Sequence, residues 1–356
     1  MGVDERTMVT KGPTLKDVAE HAGVSVATAS RALQGNQPIA PETRERVLAS
    51  VDVLGYRLLR QRREPTREAP RVVVLAPSPR HLAVAEIIAS VEAVTADAEH
   101  LCTFAVTESN PEREIRALDT LTRSLDVAAV VVVGGTNPTQ EWRTEVPRRI
   151  RTLTDRGVRV VFCGRGLPEI EVAEVAVIDY ENRAGGEAAV SQLLGKGHRR
   201  IGLLRGPVGF STSDERSRGY EDAFRSFGVD IDPALIMAGG RSGPDAAGRA
   251  DELLQDHPDV TAIFADSDAQ AMGALRAAHV RGVTVPDQLS VIGFDDEQQS
   301  AMLIPALTTV HTPFAELGRR AAQAALGTDP ELEPGHRLTL ASHVVVRESV
   351  APNRPH

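Results

Sequence analysis

Between Thr14 and Leu54 the apolar residues recur at helical spacing in three short bursts, each fenced by capping and breaking residues. Leu15, Val18, Ala19 and Ala22 fall on one face. Thr14 precedes them as an N-cap with Asp17 placed to close a capping box, and Gly23 can take the positive φ that ends the helix. Ser25 caps a second helix, expected from about Val26 to Leu33, with Ala29, Ala32 and Leu33 as its apolar face. A third opens at Pro41 and Glu42, carries Val47, Val51 and Leu54 as its stripe, and closes at Gly55 before Tyr56. Two short helices across a tight turn bring the second within reach of a DNA major groove. An ordinary helical hairpin is the alternative reading of that pattern.

From residue 71 the pattern changes. Runs rich in Val, Ile and Leu predict strands at 71–76, 101–106, 128–133, 158–162, 175–178, 200–204, 262–265 and 289–294, with later ones at 307–310 and 339–346. Amphipathic stretches between them predict helices at 82–98, 111–123, 140–156, 182–195, 213–227, 244–255, 268–281 and 314–326. Nearly unbroken apolar strands separated by helices imply parallel sheets covered on both faces. So many strands fit two doubly wound lobes better than one wide sheet, with ligands bound beyond the carboxyl ends of the strands in the cleft between lobes. Residues 57–70 show no apolar period, and hold Arg57, Arg60, Arg62, Arg63 and Arg67 with Pro65 and Pro70, so they read as a linker.

Charge refines this picture. The 356-residue chain has a formal net charge of −9, yet residues 1–70 hold 11 Lys/Arg against 9 Asp/Glu, leaving −11 for the rest. An acidic body with a locally basic head favours nucleic-acid binding by the head alone. No run is apolar enough to span a bilayer and no hydrophobic stretch lies within Met1–Thr10, so a cytoplasmic protein without membrane attachment is expected. The 2 cysteines, Cys102 and Cys163, have no metal-ligand spacing and are expected as buried thiols. Gly134-Gly135 and Gly202–Gly209 lack the spacing of a phosphate-binding loop or dinucleotide fingerprint, and no nucleophile elbow is present. These absences argue against an enzyme and against a cofactor; a transport-type binding protein is disfavoured by the missing leader.

The run from Thr14 to Tyr56 closely resembles the DNA-binding headpiece of the lactose-repressor (LacI/GalR) family, through Thr-Leu-Lys-Asp-Val-Ala, Ala-Gly-Val-Ser, Ser-Arg-Ala-Leu and Pro-Glu-Thr-Arg-Glu-Arg-Val…Leu-Gly-Tyr. Residues 194–203, 215–220, 271–275, 285–296 and 305–310 are similar to the family's effector-binding core, itself similar to periplasmic sugar-binding proteins. The resemblance implies an all-α helix-turn-helix headpiece (12–57), a hinge linker (58–70) and a periplasmic-binding-protein-like α/β core of two doubly wound parallel-sheet lobes (71–350). The first lobe would hold about 71–164 and 313–341, the second about 166–310 and 343–350. It further implies a homodimeric transcriptional regulator, a repressor by family habit, that reads pseudopalindromic double-stranded operator DNA and senses a small effector, a sugar or sugar derivative. A regulator whose core no longer answers to ligand, or a sugar-acting enzyme on the same fold, are the alternatives.

Family positions place Val26 and Ala27 at base edges, where they offer shape and thymine-methyl contacts. Arg31 has the fork that matches guanine O6 and N7, with a phosphate contact or a solvated helix end as its alternative. Ser25, Thr28 and Ser30 are suited to phosphates, and Thr14, Tyr56 and Arg57 complete the expected DNA-facing set. The hinge departs from the family: Leu58-Leu59 replace Pro-Asn, and Pro65 stands at the position of the minor-groove wedge Leu, where it fits poorly inside a helix. For the effector, Arg216 and Asp295 match ligand-contacting positions, and Ser267 and Asp268 are candidates that could equally be helix caps. Arg165 matches another cleft position, beside a Gly164 that replaces a carboxylate. Ser78 and His81 follow the first strand, where the family's Asn-Pro-Phe-Phe is absent. Phe210, in a loop, could supply an aromatic platform in its place, although plain packing is the favoured reading.

Overall fold

The computed structural model describes residues 14–34, 39–54, 70–135, 137–165, 175–240 and 242–353. The chain divides into two compact units, Met1–Thr66 and Arg67–His356. In the first, α1 (Leu15–His21), α2 (Val26–Gln34) and α3 (Pro41–Leu54) follow the expected caps. Thr14 and Asp17 form both halves of the capping box, and Gly23 takes φ +65° in open space. Val18, Ala19, Ala22, Ala29, Ala32 and Val47 make a small core where the three helices meet. All six of those positions lie within the stripes read from spacing alone; the other four stripe residues, Leu15, Leu33, Val51 and Leu54, pack half-buried around them.

The second unit opens with β1 (Arg71–Ala76), α4 (Leu82–Asp97), β2 (Leu101–Val106), α5 (Pro111–Leu121), β3 (Val127–Val133), α6 (Gln140–Thr154), β4 (Arg159–Cys163) and β5 (Val175–Tyr180). It continues through α7 (Asn182–Gly195), β6 (Ile201–Arg205), α8 (Ser211–Ser226), β7 (Ile236–Ala238), α9 (Gly243–Asp256), β8 (Ala262–Ala265), α10 (Asp268–Arg281) and β9 (Ser290–Ile292). It ends with β10 (Thr309–His311), α11 (Phe314–Leu326), β11 (Arg337–Leu340) and β12 (His343–Val345).

Two parallel sheets result, a six-stranded one ordered β11-β5-β4-β3-β1-β2 and a four-stranded one ordered β7-β6-β8-β9. Successive side chains on a strand point to opposite faces, and both faces are covered. Val72, Val74 and Ala76 of β1 enter one buried cluster with α4 and α11, while Val73 and Leu75 enter another with α5 and α6. Strand order reverses between β1 and β3 in the first sheet and between β6 and β8 in the second. These are the two crevices where such folds bind ligands.

The lobe boundary differs from expectation. β5 was assigned with 166–310 to the second lobe, but it pairs in parallel with β4, Val160 opposite Val175 and Cys163 opposite Ile178. The first lobe therefore extends through Tyr180. The predicted strand at 339–346 is two strands: β11 pairs with β5, and β12 pairs antiparallel with β10. The break at Ala341–Ser342 is where the chain passes from one lobe to the other.

Candidate DNA-reading helix and inter-lobe cleft

α2 presents Val26, Ala27 and Arg31 outward while Ala29 and Ala32 are buried against the other helices. Burial of Ala29 and Ala32 fixes the helix rotation, so the family's base-edge positions face outward. Ser25 Oγ accepts from the Thr28 amide at 3.1 Å and lies 2.8 Å from Thr28 Oγ1, so this pair caps the helix. Ser30 is half-buried. Arg31 Nε donates back to the Ala27 carbonyl at 3.2 Å, leaving the head of its guanidinium at the exposed surface. Thr14 Oγ1 is engaged by Asp17 at 2.7 Å. Tyr56, Arg57 and the hinge residues Leu58, Leu59 and Pro65 lie outside the described residues.

In the second unit the cleft is centred on Arg216, in the second turn of α8 and 2% exposed. α7 and α8 approach so closely that a Cβ on Gly219 would lie 2.2 Å from the Arg183 carbonyl, and one on Gly186 would lie 2.6 Å from the Arg216 carbonyl. That contact sets Arg216 at the height where β5, β8 and β9 end. Its Nε donates to Asn182 Oδ1 at 2.9 Å, and Nη2 donates to Tyr180 Oη at 2.8 Å and to Asp295 Oδ1 at 2.9 Å. Nη1 donates to the Asp266 carbonyl, and the guanidinium lies 3.7 Å from the Phe294 ring centroid. Burial opposes the charge, but Asp295, Tyr180 and Asp266 outweigh it and hold the guanidinium pKa above its ordinary value.

Asp295 follows β9 with φ +112° and Asp296 with φ +57°. Two successive non-glycine residues in this region store backbone strain, which persists where surrounding contacts over-determine it. Here those contacts include Asp295 N to the Val310 carbonyl (2.9 Å) and the Arg216 pair. Asp296 is gripped by Arg347 at 2.6 Å and by His311 at 3.0 Å. Asp266, 1% exposed, accepts from Ser213 through Oδ2, while its Oδ1 has no partner among the described residues. A buried carboxylate oxygen without a partner is an unsatisfied acceptor.

The remaining predicted residues separate. Ser267 caps α10, accepting from the Gln270 amide. Asp268 is fully buried and does not face the cleft: Oδ2 accepts from the Glu297 amide (2.8 Å) and Ser300 (2.6 Å), and Oδ1 from Thr309. It ties the 297–300 turn to β10. Burial, aided by Asp295, raises its pKa to about 7, and the same causes raise Glu297 to about 7. Asp179, beside Tyr180, is raised by burial to about 6.

Arg165 is likewise not a cleft residue. Its guanidinium makes a two-pronged pair with Glu114 at 2.9 and 3.0 Å, and Nε donates to the Gly134 carbonyl. Trp142 Nε1 donates to the same Glu114 at 3.0 Å. Glu114, Trp142 and Arg165 are 1%, 1% and 2% exposed, inside the first lobe. Ser78 and His81 sit at the carboxyl end of β1, with Ser78 Oγ accepting from the Arg80 amide and His81 at the N-cap of α4. The cleft members that sequence reasoning missed are Tyr180, Asn182, Phe294 and Asp266. Tyr180 and Asp266 stand at strand ends, the signal that marked Asp295.

Among the described residues no helix is long and apolar enough to cross a membrane, and no group of His, Cys, Asp and Glu is placed to hold a metal ion.

A three-helix head carrying an outward-facing second helix, followed by two parallel-sheet lobes around a buried arginine–carboxylate pair, defines a ligand-sensing DNA-binding regulator. Residues 14–57 match the family model of bacterial regulatory proteins, lacI family, and residues 190–350 match that of a periplasmic binding protein-like domain. The transcriptional regulator CelR of Thermobifida fusca is 30% identical over 347 residues, 95% of this chain and 98% of the relative. The transcriptional repressor CytR of Escherichia coli K12 is 32% identical over 311 residues, 86% of this chain and 87% of the relative. A solved CelR–cellobiose complex superposes with a TM-score of 0.67 at 30% identity, covering 95% of this chain and 99% of that one. The lac repressor dimer bound to operator has a TM-score of 0.68 at 23% identity, covering 96% and 100%, and shares the fold. The chain belongs to the lacI family of bacterial transcriptional regulators, DNA-binding proteins rather than enzymes.

Proposed function

We propose that this protein represses transcription as a cytoplasmic homodimer, reading a pseudopalindromic operator with paired α2 helices while each core senses a small polyhydroxylated effector. The observation that carries the effector reading is the Arg216–Asp295 pair at the end of β9. It offers a donor fork and a carboxylate acceptor beside the open Asp266 Oδ1 and the Phe294 ring. Alternating donors and acceptors over an aromatic face suit the hydroxyls and apolar face of a sugar. The CelR complex with cellobiose supports a carbohydrate in this cleft. Ser78, His81 and Ser267, at strand ends around the same space, are the further contacts assigned to it. On the DNA side, Arg31 reads a base while Val26 and Ala27 supply shape.

Two variants test the reading. Operator sites are selected from random duplex DNA and titrated against the parent and Arg31→Ala. Loss of one guanine contact lowers specific affinity by about 1–3 kcal/mol and leaves salt-sensitive non-specific binding in place. Unchanged specific affinity refutes the assignment of Arg31. Asp295→Asn, screened by thermal shift against cellobiose and other mono- and disaccharides, loses any stabilisation the parent shows. Retention of that stabilisation refutes the cleft as the effector site.

A further inference from the structure

The turn that carries Asp295 is held by a buried residue that does not reach the cleft. Asp268 is the first residue of α10, and its amide donates to the Phe294 carbonyl at 2.7 Å. Its carboxylate Oδ2 accepts from the Glu297 amide at 2.8 Å. One residue thus grips the chain immediately before and immediately after Asp295 and Asp296, both of them non-glycine residues at positive φ. Oδ2 also accepts from Ser300 at 2.6 Å, and Oδ1 accepts from Thr309 on β10. Gly293 leaves room for this carboxylate, since a Cβ there would collide with Asp268 Oδ1. Val310, next on β10, takes the Asp295 amide through its carbonyl, so the strand that supports the turn is anchored to the same side chain.

We propose that Asp268 is a positioning residue for the effector: it clamps the 294–297 turn in its strained form, and through that turn aims the Asp295 carboxylate and the Phe294 ring at Arg216 without touching the ligand. This rests on the reading of the cleft as the effector site. Backbone strain of this kind persists only where neighbouring contacts over-determine it. An ionised carboxylate that accepts from a buried amide makes a charge-assisted bond, and its loss shifts an equilibrium by roughly tenfold or more. Without it the turn leaves the geometry in which Asp295 meets Arg216 at 2.9 Å, and apparent effector affinity falls with the fraction of molecules that keep that geometry. The carboxylates of Asp268 and Asp295 repel each other. Asp268→Asn therefore removes an acceptor and a repulsion together, and any loosening of the turn reports the lost acceptor.

The full chain at pH 8, where Asp268 is ionised, carries the test. Amide hydrogen exchange followed by mass spectrometry reads the turn with no ligand present. In Asp268→Asn, which keeps the volume and one acceptor oxygen, peptides spanning 293–300 are expected to exchange roughly tenfold faster than in the parent. In Asp268→Ala, which keeps neither, they exchange faster still; should that variant not fold, Asp268→Asn decides alone. Peptides covering β6 and β8 exchange as in the parent. Affinities for cellobiose and other mono- and disaccharides are then measured by calorimetry, and whichever sugar the parent binds is bound roughly tenfold more weakly by Asp268→Asn. Leu253→Ala, a truncation in the hydrophobic core of the same lobe, lowers the melting temperature and leaves that affinity unchanged, so weaker binding by Asp268→Asn is not a by-product of lost stability. Unchanged exchange at 293–300 overturns the clamp. So does exchange that rises equally in β6 and β8, and so does a loosened turn with sugar affinity equal to the parent's. A parent that binds no sugar of the panel overturns the effector reading instead, and the exchange result still decides whether Asp268 clamps the turn.

Discussion

Glu114 is the residue whose removal separates two accounts of Arg165. If Arg165 faced a ligand, Glu114→Ala would be a mild change in α5 and Arg165→Met would abolish effector response at little loss of stability. The structure instead buries Arg165, Glu114 and Trp142 together, with both guanidinium nitrogens on the two carboxylate oxygens. Glu114→Ala then strands a buried cation and removes the acceptor of Trp142 Nε1. Breaking one partner of a buried pair costs about 3–5 kcal/mol, which for a domain of this size lowers the melting temperature by roughly 6–15 °C. Glu114→Leu with Arg165→Met removes both charges and keeps volume, and is expected within about 2 kcal/mol of the parent, because a buried ion pair and its apolar replacement are often nearly equal in stability. Denaturant unfolding followed by far-ultraviolet circular dichroism measures all four corners of this cycle; Trp142, the single tryptophan, gives an independent local signal. A coupling under about 0.5 kcal/mol, the level expected of independent sites, refutes the reasoning. So does a stable Glu114→Ala.

Two further outcomes follow from the same packing and charge arguments. Burial raises Asp268 to about 7, above the roughly 3.9 of an unfolded chain, so the stability it contributes is complete below about pH 4 and is lost as pH rises through about 7. Melting temperatures of parent and Asp268→Asn between pH 5 and 8 check this: the parent falls more steeply with pH, and parallel curves would disprove the assignment. Gly219→Ala pushes a methyl to within 2.2 Å of the Arg183 carbonyl and is expected to destabilise by about 1–3 kcal/mol through overpacking; a denaturation midpoint equal to the parent's contradicts the close α7–α8 contact.

The headpiece was legible in the sequence because its signals are local. Caps, a turn glycine and a 3.6-residue stripe lie within a few positions of one another, and the structure shows α1 to α3 where those signals place them. Asp295 was marked by its place after a strand end, where doubly wound folds have their cleft, and Arg216, on α8, by its match to a family position; the structure pairs the two. Arg165 was misplaced because its partner is Glu114, 51 positions away, and nothing near either residue reveals the pairing. The lobe of β5 was misassigned because an apolar strand carries no mark of the sheet it joins. β7 went unseen: three residues between Pro233 and Gly239 are too few to show a period. The apolar run at 339–346 looked continuous because periodicity does not register a change of partner at Ala341–Ser342.

The cleft chemistry bears on how complete a switch this fold can be. Arg216 is bonded to Asn182, Tyr180, Asp266 and Asp295. An effector therefore gains by exchanging those bonds for its own, and only its preference for one lobe arrangement over the other shifts the head. At a hundred times its dissociation constant a ligand that binds one state alone contributes about 2.7 kcal/mol. Reversing a two-state equilibrium from about 1:99 to 99:1 takes about 5.5 kcal/mol. One core falls short of that by half, whereas two cores moving together in a dimer reach it. In the proposed homodimer, pairing would therefore match two operator half-sites and also double the free energy through which the proposed effector acts. A protomer whose dimer contacts are broken is accordingly expected to bind the same sugar and yet respond only in part.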